Sequence, residues 1–401
     1  MHPLLISSFT ATSSLGKGLA PLLEALLASR SGLAPCRFET VRLDTFVGEV
    51  PDVDAQVMPT PLAGFDCRNN RLAQLALSQD GFLDAVAAAA SRHGPGRIGV
   101  FVGTSTAGIL ATEIAYRHRD AATGALPAGF DYRRTHNSFS VAEFTRARLG
   151  LAGPCVAIST ACSSSAKAFV SASRMMAAGL IDAAVVGGVD SLCLTTLYGF
   201  DSLQLLSHQP CRPWDVARDG ISIGEAGAYF LLERPPSPAS EAALWLLGGG
   251  ESCDAHHMSS PHPDGLGARL ALEDALASAA LNPSDVDYVN LHGTATPSND
   301  AAEDKAVQAV FGGTVPCNST KGATGHALGA AGAIEAAIAL LAIRHGFIPA
   351  SPGTQTLDPA LRIRYQASLE RRSVSRVVSN SFGFGGSNCS LVFGERAGKS
   401  A

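Results

Sequence analysis

The sequence predicts an α/β protein made of two similar halves. Three observations carry this expectation. Strand-like and helix-like segments alternate along nearly the whole chain. One unit occurs twice, around Cys162 and around His326: a short apolar strand, a turn with a reactive side chain, and a helix of Ala, Gly and Ser. Finally, 401 residues are too many for one ordinary core. Low-complexity likeness between two Ala-rich helices is the competing explanation of the repeat.

Residues 4–9 read as the first strand. Residues 21–28 form a short helix with Leu22, Leu23, Leu26 and Leu27 on one face. A single longer helix is expected over 70–90, and a strand over 97–102. A Gly/Thr/Ser turn (103–108) then opens another helix. Residues 141–149 are helical and 150–154 turn. Val156, Ala157 and Ile158 suit a strand with little water on either face. Cys162 sits at the sharp turn that follows, and the Ser/Ala helix beyond it lets another element approach closely. A buried strand is expected at 183–189. Asp215, Arg218 and Asp219 lie in a polar loop and read as a structural ion-pair cluster. After a strand at 227–233, Pro235-Pro236-Ser237-Pro238 marks the division into halves 1–238 and 239–401. The second half offers a helix (269–281), a strand (286–291) that delivers His292, and a strand (315–319). Next come the Lys321/His326 turn, the Ala-rich helix, a strand at 374–379, a glycine loop and a last strand at 390–393.

Composition excludes several classes. With 46% hydrophobic and 16% charged residues, little of the chain is suited to disorder. A net charge of -5 gives no support to nucleic-acid binding. Nine cysteines, an odd number with no CxxC pair, argue against a zinc ribbon or disulfide framework and fit a reducing cytoplasm. The N-terminus lacks a basic region followed by a long apolar run. Residues 327–343 resemble a membrane span but are short and carry Glu335, so a buried helix, and no membrane span, is expected.

Chemistry concentrates in four places. A thiol at a helix N-terminus meets the positive end of the macrodipole and free N–H groups, which favour thiolate and can hold an oxyanion. A buried structural cysteine is the bland reading of Cys162. His292 leaves an apolar strand directly into a Gly/Thr turn. Lys321 and His326 open a buried helix carrying Glu335. The Phe382-Gly383-Phe384-Gly385-Gly386 loop permits positive φ and close backbone approach. No metal is expected: His292 and His326 lack a third ligand at usual zinc spacing, and the adjacent His256 and His257 diverge.

Taken together the segments are specific. Thr160-Ala161-Cys162-Ser163-Ser164, Arg212-Pro213-Trp214-Asp215, Ser252-Cys253-Asp254-Ala255-His256-His257-Met258, His292-Gly293-Thr294, Lys321-Gly322-Ala323-Thr324-Gly325-His326 and Asn380-Ser381-Phe382-Gly383-Phe384-Gly385-Gly386 stand in order along the chain. In these motifs it resembles the β-ketoacyl-acyl-carrier-protein synthases. The resemblance implies the thiolase fold, five layers αβαβα, usually as a dimer. It implies decarboxylative condensation of malonyl-acyl-carrier protein with an acyl chain held on Cys162. His292 and His326 would complete the catalytic set, with Lys321 and Glu335 as supporting lysine and acid. Phe384 matches the gating phenylalanine, whose N–H joins that of Cys162 in the oxyanion hole. Thr294, Thr296 and Phe382 fall on substrate-binding positions, and Thr106 on the acyl-pocket floor. Arg68, Arg71, Arg133 and Arg134 stand where relatives place basic residues that dock the acidic carrier protein. The acyl groups ride on the carrier's phosphopantetheine, and no metal, nucleotide or redox cofactor is implied, although some relatives hold a structural cation near the acid.

The chain also departs from the commonest pattern. Ser163-Ser164-Ser165-Ala166-Lys167 leans toward the type I bacterial branch and the aryl-polyene synthases, while Gly224-Glu225-Ala226-Gly227 is similar to type II. Thr106 replaces a larger isoleucine of some relatives, which suggests a roomier pocket. Three rivals stand beside the main reading. A degradative thiolase usually replaces one histidine with a second cysteine. A chain-length-factor subunit loses the nucleophile, although this chain fits the active half of a heterodimer with one. A cysteine hydrolase needs water access and a base beside Cys162.

Overall fold

A computed structural model describes residues 1–234 and 243–395; the expected boundary at Pro235–Pro238 lies outside them. The first half contributes strands β1 (Leu4–Ser13), β2 (Ile98–Gly103), β3 (Cys155–Ile158), β4 (Ala183–Asp190) and β5 (Ala226–Glu233) to the main sheet. The second contributes β6 (Leu244–Cys253), β7 (Tyr288–Asn290), β8 (Cys317–Asn318), β9 (Arg376–Gly383) and β10 (Ser387–Glu395). Spatially the first half runs β1-β5-β4-β2-β3 and the second β6-β10-β9-β7-β8. By rank of appearance these are the same order. Successive pairs are antiparallel, antiparallel, parallel and parallel in both. Compositional likeness of two helices would not reproduce a whole topology, so the repeat is structural. The halves join where β1 runs antiparallel to β6, with Leu4 opposite Leu246.

Strand periodicity builds the layers, because successive side chains point to opposite faces. Val100, Val185 and Leu231 face outward and pack with helices α1 (Arg68–Leu77), α2 (Phe82–His93) and α3 (Phe139–Arg148). Their neighbours Phe101, Val186 and Phe230 face inward, onto α4 (Ser164–Ala177). On the second half's outer face, α5 (Leu266–Ala279) and α6 (Pro297–Phe311) pack with Val289 and Val392. Leu391 and Phe393 turn inward, toward α4 and α7 (Ala331–His345). The result is the five-layered αβαβα arrangement, with α4 and α7 at the centre. Small residues make this possible. A Cβ on Gly332 of α7 would lie 2.9 Å from Ala166 N of α4, and one on Gly103 would lie 2.3 Å from Ser165 N.

Several expectations are corrected. The helix over 70–90 is two helices, because Asp80 and Gly81 take left-handed φ of 55° and 67°. The Asp80 carboxylate earns its place by accepting from Leu19 N and Thr10 Oγ1. Strand β6 was not expected, since Gly248-Gly249-Gly250 has low strand propensity. Those glycines let α5 lie against the strand: a Cβ on Gly250 would lie 2.3 Å from Ala271 O. Helix α6 was not expected either. Strand β3 is the sheet's edge and is half-buried, not dry on both faces. Strand β9 runs on through Asn380 to Gly383. One stretch, Leu328–His345, is long and apolar enough to cross a membrane, and 89% of it is buried inside the protein.

Candidate active site

Equivalent positions of the two halves deliver the reactive groups. β3 and β8 are third in each half, and the turns after them carry Cys162 and His326 into the central helices. Cys162 sits on a strained elbow: Ala161 has φ 52°. Ser163 Oγ donates to Thr160 O (2.8 Å), and Ser164 Oγ accepts from Thr160 N (2.9 Å). Ser165 Oγ accepts from Ala333 N (2.9 Å) and locks α4 to α7. The Phe384 N–H hydrogen-bonds to the Cys162 sulfur. Only glycine fits at 383, because a Cβ there would lie 2.7 Å from Thr160 O and 3.3 Å from Cys162 N. Burial works against the expected bias toward thiolate: it pushes the thiol up to about 11, and Lys321 only partly offsets this.

Both histidines are buried, with rings 5.3 Å apart at near right angles. Leu328 N–H donates to His326 Nδ1 (3.2 Å), so the neutral ring carries its proton on Nε2, 3.1 Å from Cys162 Sγ. Lys321 Nζ lies 3.5 Å from His292 Nδ1 and also donates to His292 O and Glu335 Oε1. An ammonium on Nδ1 leaves the His292 proton on Nε2 as well. Burial first, then Lys321, hold both imidazoles well below the usual histidine range, so both are neutral N–H donors.

That geometry bears on metal binding. Folding supplies the third donor that sequence spacing lacked, since Cys162, His292 and His326 bring their ligand atoms within 4.8 Å of one another. A metal-ligating histidine normally donates its other N–H to an acceptor. Here both Nδ1 atoms face donors, so neither Nε2 is free to ligate. The set fits hydrogen-bond donation, not a zinc site.

Two features escaped the sequence reading. Glu303 accepts from His292 N and Gly293 N (both 2.8 Å) and from Asn380 Nδ2 (3.0 Å). Asp300 accepts from Trp214 N (3.0 Å) and faces Arg218. Acids at 300, 303 and 304 share one helix face, the signal that would have found them. Burial raises Asp300 to about 6 and both Glu303 and Glu335 to about 7. Asp215 accepts three backbone N–H groups and Arg218 pairs with Asp358, the structural cluster expected of that loop. Glu335 Oε2, Asn290 Oδ1 and Ser379 Oγ are buried without a hydrogen-bond partner. Asn290 and Ser379 are register partners, and α7 packs on β9. Orphaned oxygens are the chemistry a hard cation takes.

A cleft opens from Cys162, His292 and His326 past Thr294, Thr296 and Phe382 to Phe384 at its mouth. The two threonine hydroxyls are 2.9 Å apart. The Phe384 ring meets Phe200 at 5.7 Å. Thr106 does not line this cleft, because its hydroxyl and N–H are both bound to Asp190. Arg68 is not a docking residue: it is buried and paired with Glu225, Asp54 and Glu49. Arg71 is held by Asp66 through two bonds. Arg133 and Arg134 are exposed.

Five layers from two like halves, with a cysteine and two histidines where the halves meet, define a member of the thiolase-fold class. The chain belongs to the β-ketoacyl synthase family: "Beta-ketoacyl synthase, N-terminal domain" matches residues 1–236 and the C-terminal domain matches 245–355. Mitochondrial 3-oxoacyl-[acyl-carrier-protein] synthase of Arabidopsis thaliana is 40% identical over 61% of this chain and 57% of its own length. With the chloroplastic synthase II of that plant the match spans 48% of the relative, so the chain covers about half of these relatives. 3-Oxoacyl-[acyl-carrier-protein] synthase 2 of Vibrio cholerae is 32% identical over 95% of this chain and 96% of its own. In the solved complex of a ketosynthase with its chain length factor from Xenorhabdus doucetiae, one chain is 37% identical with a TM-score of 0.88, each covering 98% of the other.

Proposed function

We propose that this chain condenses malonyl-acyl-carrier protein with an acyl group stored on Cys162, releasing carbon dioxide and a β-ketoacyl chain on the carrier. The single observation that carries this is the pair of buried imidazoles clustered with Cys162 Sγ, His326 Nε2 at 3.1 Å from it and a donor set against each Nδ1. In the first step Cys162 sulfur attacks the acyl thioester carbonyl. The carbon–sulfur bond to pantetheine breaks, and the proton released by the thiol ends on the departing pantetheine sulfur. The N–H groups of Cys162 and Phe384 hold the oxyanion. In the second step the malonyl carbon–carbon bond breaks, carbon dioxide leaves, and charge builds on the thioester oxygen. His292 and His326 donate to that oxygen. The carbanion attacks the acyl-Cys162 carbonyl and expels Cys162 as thiolate, which takes up a proton.

Lys321 and Glu335 hold His292 in its tautomer, while Thr294, Thr296 and Phe382 line the pantetheine channel behind Phe384. Because His326 Nδ1 accepts from Leu328, His326 is not the base that a cysteine hydrolase requires. The residues present do the chemistry without metal, nucleotide or redox cofactor. A hard cation, if bound, would sit among Glu335, Asn290 and Ser379 and balance buried charge. The acidic carrier docks against Arg133 and Arg134, and the protein works in the cytoplasm.

For quaternary state, the active half of a two-chain enzyme is favoured. Identity over the whole chain is 37% to a chain of the ketosynthase–chain length factor complex and 32% to the Vibrio synthase. The half-buried edge strand β3 is open to a homologous chain. The test is product formation from acyl- and malonyl-carrier protein by mass spectrometry, with and without such a partner. Condensation by the chain alone would overturn the two-chain reading.

A further inference from the structure

One buried carboxylate ties together the two arms of the site and touches neither reacting group. Asp190 ends β4 and has no exposure. Its charge is met by five N–H and O–H donors. Oδ1 accepts from Thr104 Oγ1 (2.7 Å), Ser105 N (2.8 Å), Thr106 N (2.9 Å) and Thr106 Oγ1 (2.8 Å). Oδ2 accepts from Gly329 N (2.6 Å), across the boundary between halves, and shares the Ser105 N–H (2.9 Å). The preceding residue, Leu328, is the one whose N–H sits on His326 Nδ1. Leu328 has φ 49°, costly for a γ-branched side chain unless its surroundings over-determine it.

We propose that Asp190 is a positioning residue: by anchoring Gly329 it keeps the Leu328 N–H on His326 Nδ1 and so fixes the Nε2–H tautomer that faces Cys162. The proposal rests on the role given above to His326. Without the anchor the strained turn relaxes and Nδ1 loses its donor. The ring then takes the Nδ1–H tautomer and has no proton to give the enolate oxygen.

Asp190→Asn tests this. Four donors on Oδ1 dictate which way the amide sits, so its –NH2 replaces Oδ2 and confronts the Gly329 N–H. The expected result is a fall in malonyl-carrier decarboxylation of about 10- to 100-fold, with acylation of Cys162 retained. Ring 15N NMR should show the Nδ1–H tautomer appearing at His326. If Asp190→Asn does not fold, Gly329→Ala attacks the same bond from the other side, because its Cβ would lie 2.8 Å from Asp190 Oδ2; the same signature is expected. Unchanged decarboxylation, or decarboxylation lost with His326 still Nε2–H, overturns the proposal. His326→Ala measured alongside separates the failures. If it still decarboxylates, the role of His326 falls; if it does not while Asp190→Asn does, only the Asp190 inference falls.

Discussion

At the scale of single residues, a thiol sealed from water beside two neutral imidazoles should give the two proposed half-reactions different responses to pH. With Cys162 pushed up to about 11, the thiolate fraction grows about tenfold per pH unit below that value. Single-turnover acylation should therefore keep rising from pH 7 to 9. Decarboxylation needs imidazoles that are already neutral, because both lie well below 6.5, so it should show no acid limb near that pH. A plateau of acylation near neutrality would show instead that the helix terminus outweighs desolvation. Lys321 and Glu335 give a second prediction. Lys321→Ala strands a buried carboxylate and should cost about 3–5 kcal/mol in thermal unfolding. Adding Glu335→Ala should restore much of that stability but not decarboxylation. Cys162, His292, Lys321, His326, Glu335 and the Phe382–Phe384 loop were legible in the sequence because each residue type is rare in the apolar context where it stands. The resting protonation of Cys162 was not, since it depends on how completely other segments exclude water. Nor was the burial of Arg68, whose three carboxylate partners come from other segments.

At the scale of elements, the contact between α4 and its neighbours is set by missing side chains. Gly103→Ala would press a Cβ against the backbone of Ser165, which cannot yield without moving α4. Overpacking of this kind costs about 1–3 kcal/mol. Because α4 carries the elbow, acylation should slow together with the drop in melting temperature. A melting temperature equal to that of the wild type would mean that the seam is loose. The same small residues explain which elements sequence reasoning found. Periodic apolar segments such as β2, β4 and β5 were plain. β6 was hidden because its glycines serve the packing of α5 and not strand propensity. The break between α1 and α2 hangs on Asp80, whose partners Thr10 and Leu19 lie far back in the chain.

At the scale of the molecule, a duplicated topology places Cys162 and His326 at equivalent turns and brings them together through the central helices. The repeat around these two residues was visible in the sequence, but its proof is the matching strand order and pairing sense, which no linear pattern displays. Each half alone holds part of the chemistry, so the site exists only when both have folded. The most direct measurement of the central claim is intact-mass analysis of the protein with acyl- and malonyl-carrier protein, run with a homologous partner chain present. Wild type should carry the acyl group on Cys162 and release β-ketoacyl-carrier protein. His292→Ala and His326→Ala should carry the acyl group and release none. Cys162→Ala should do neither, and β-ketoacyl product from that variant would contradict the account.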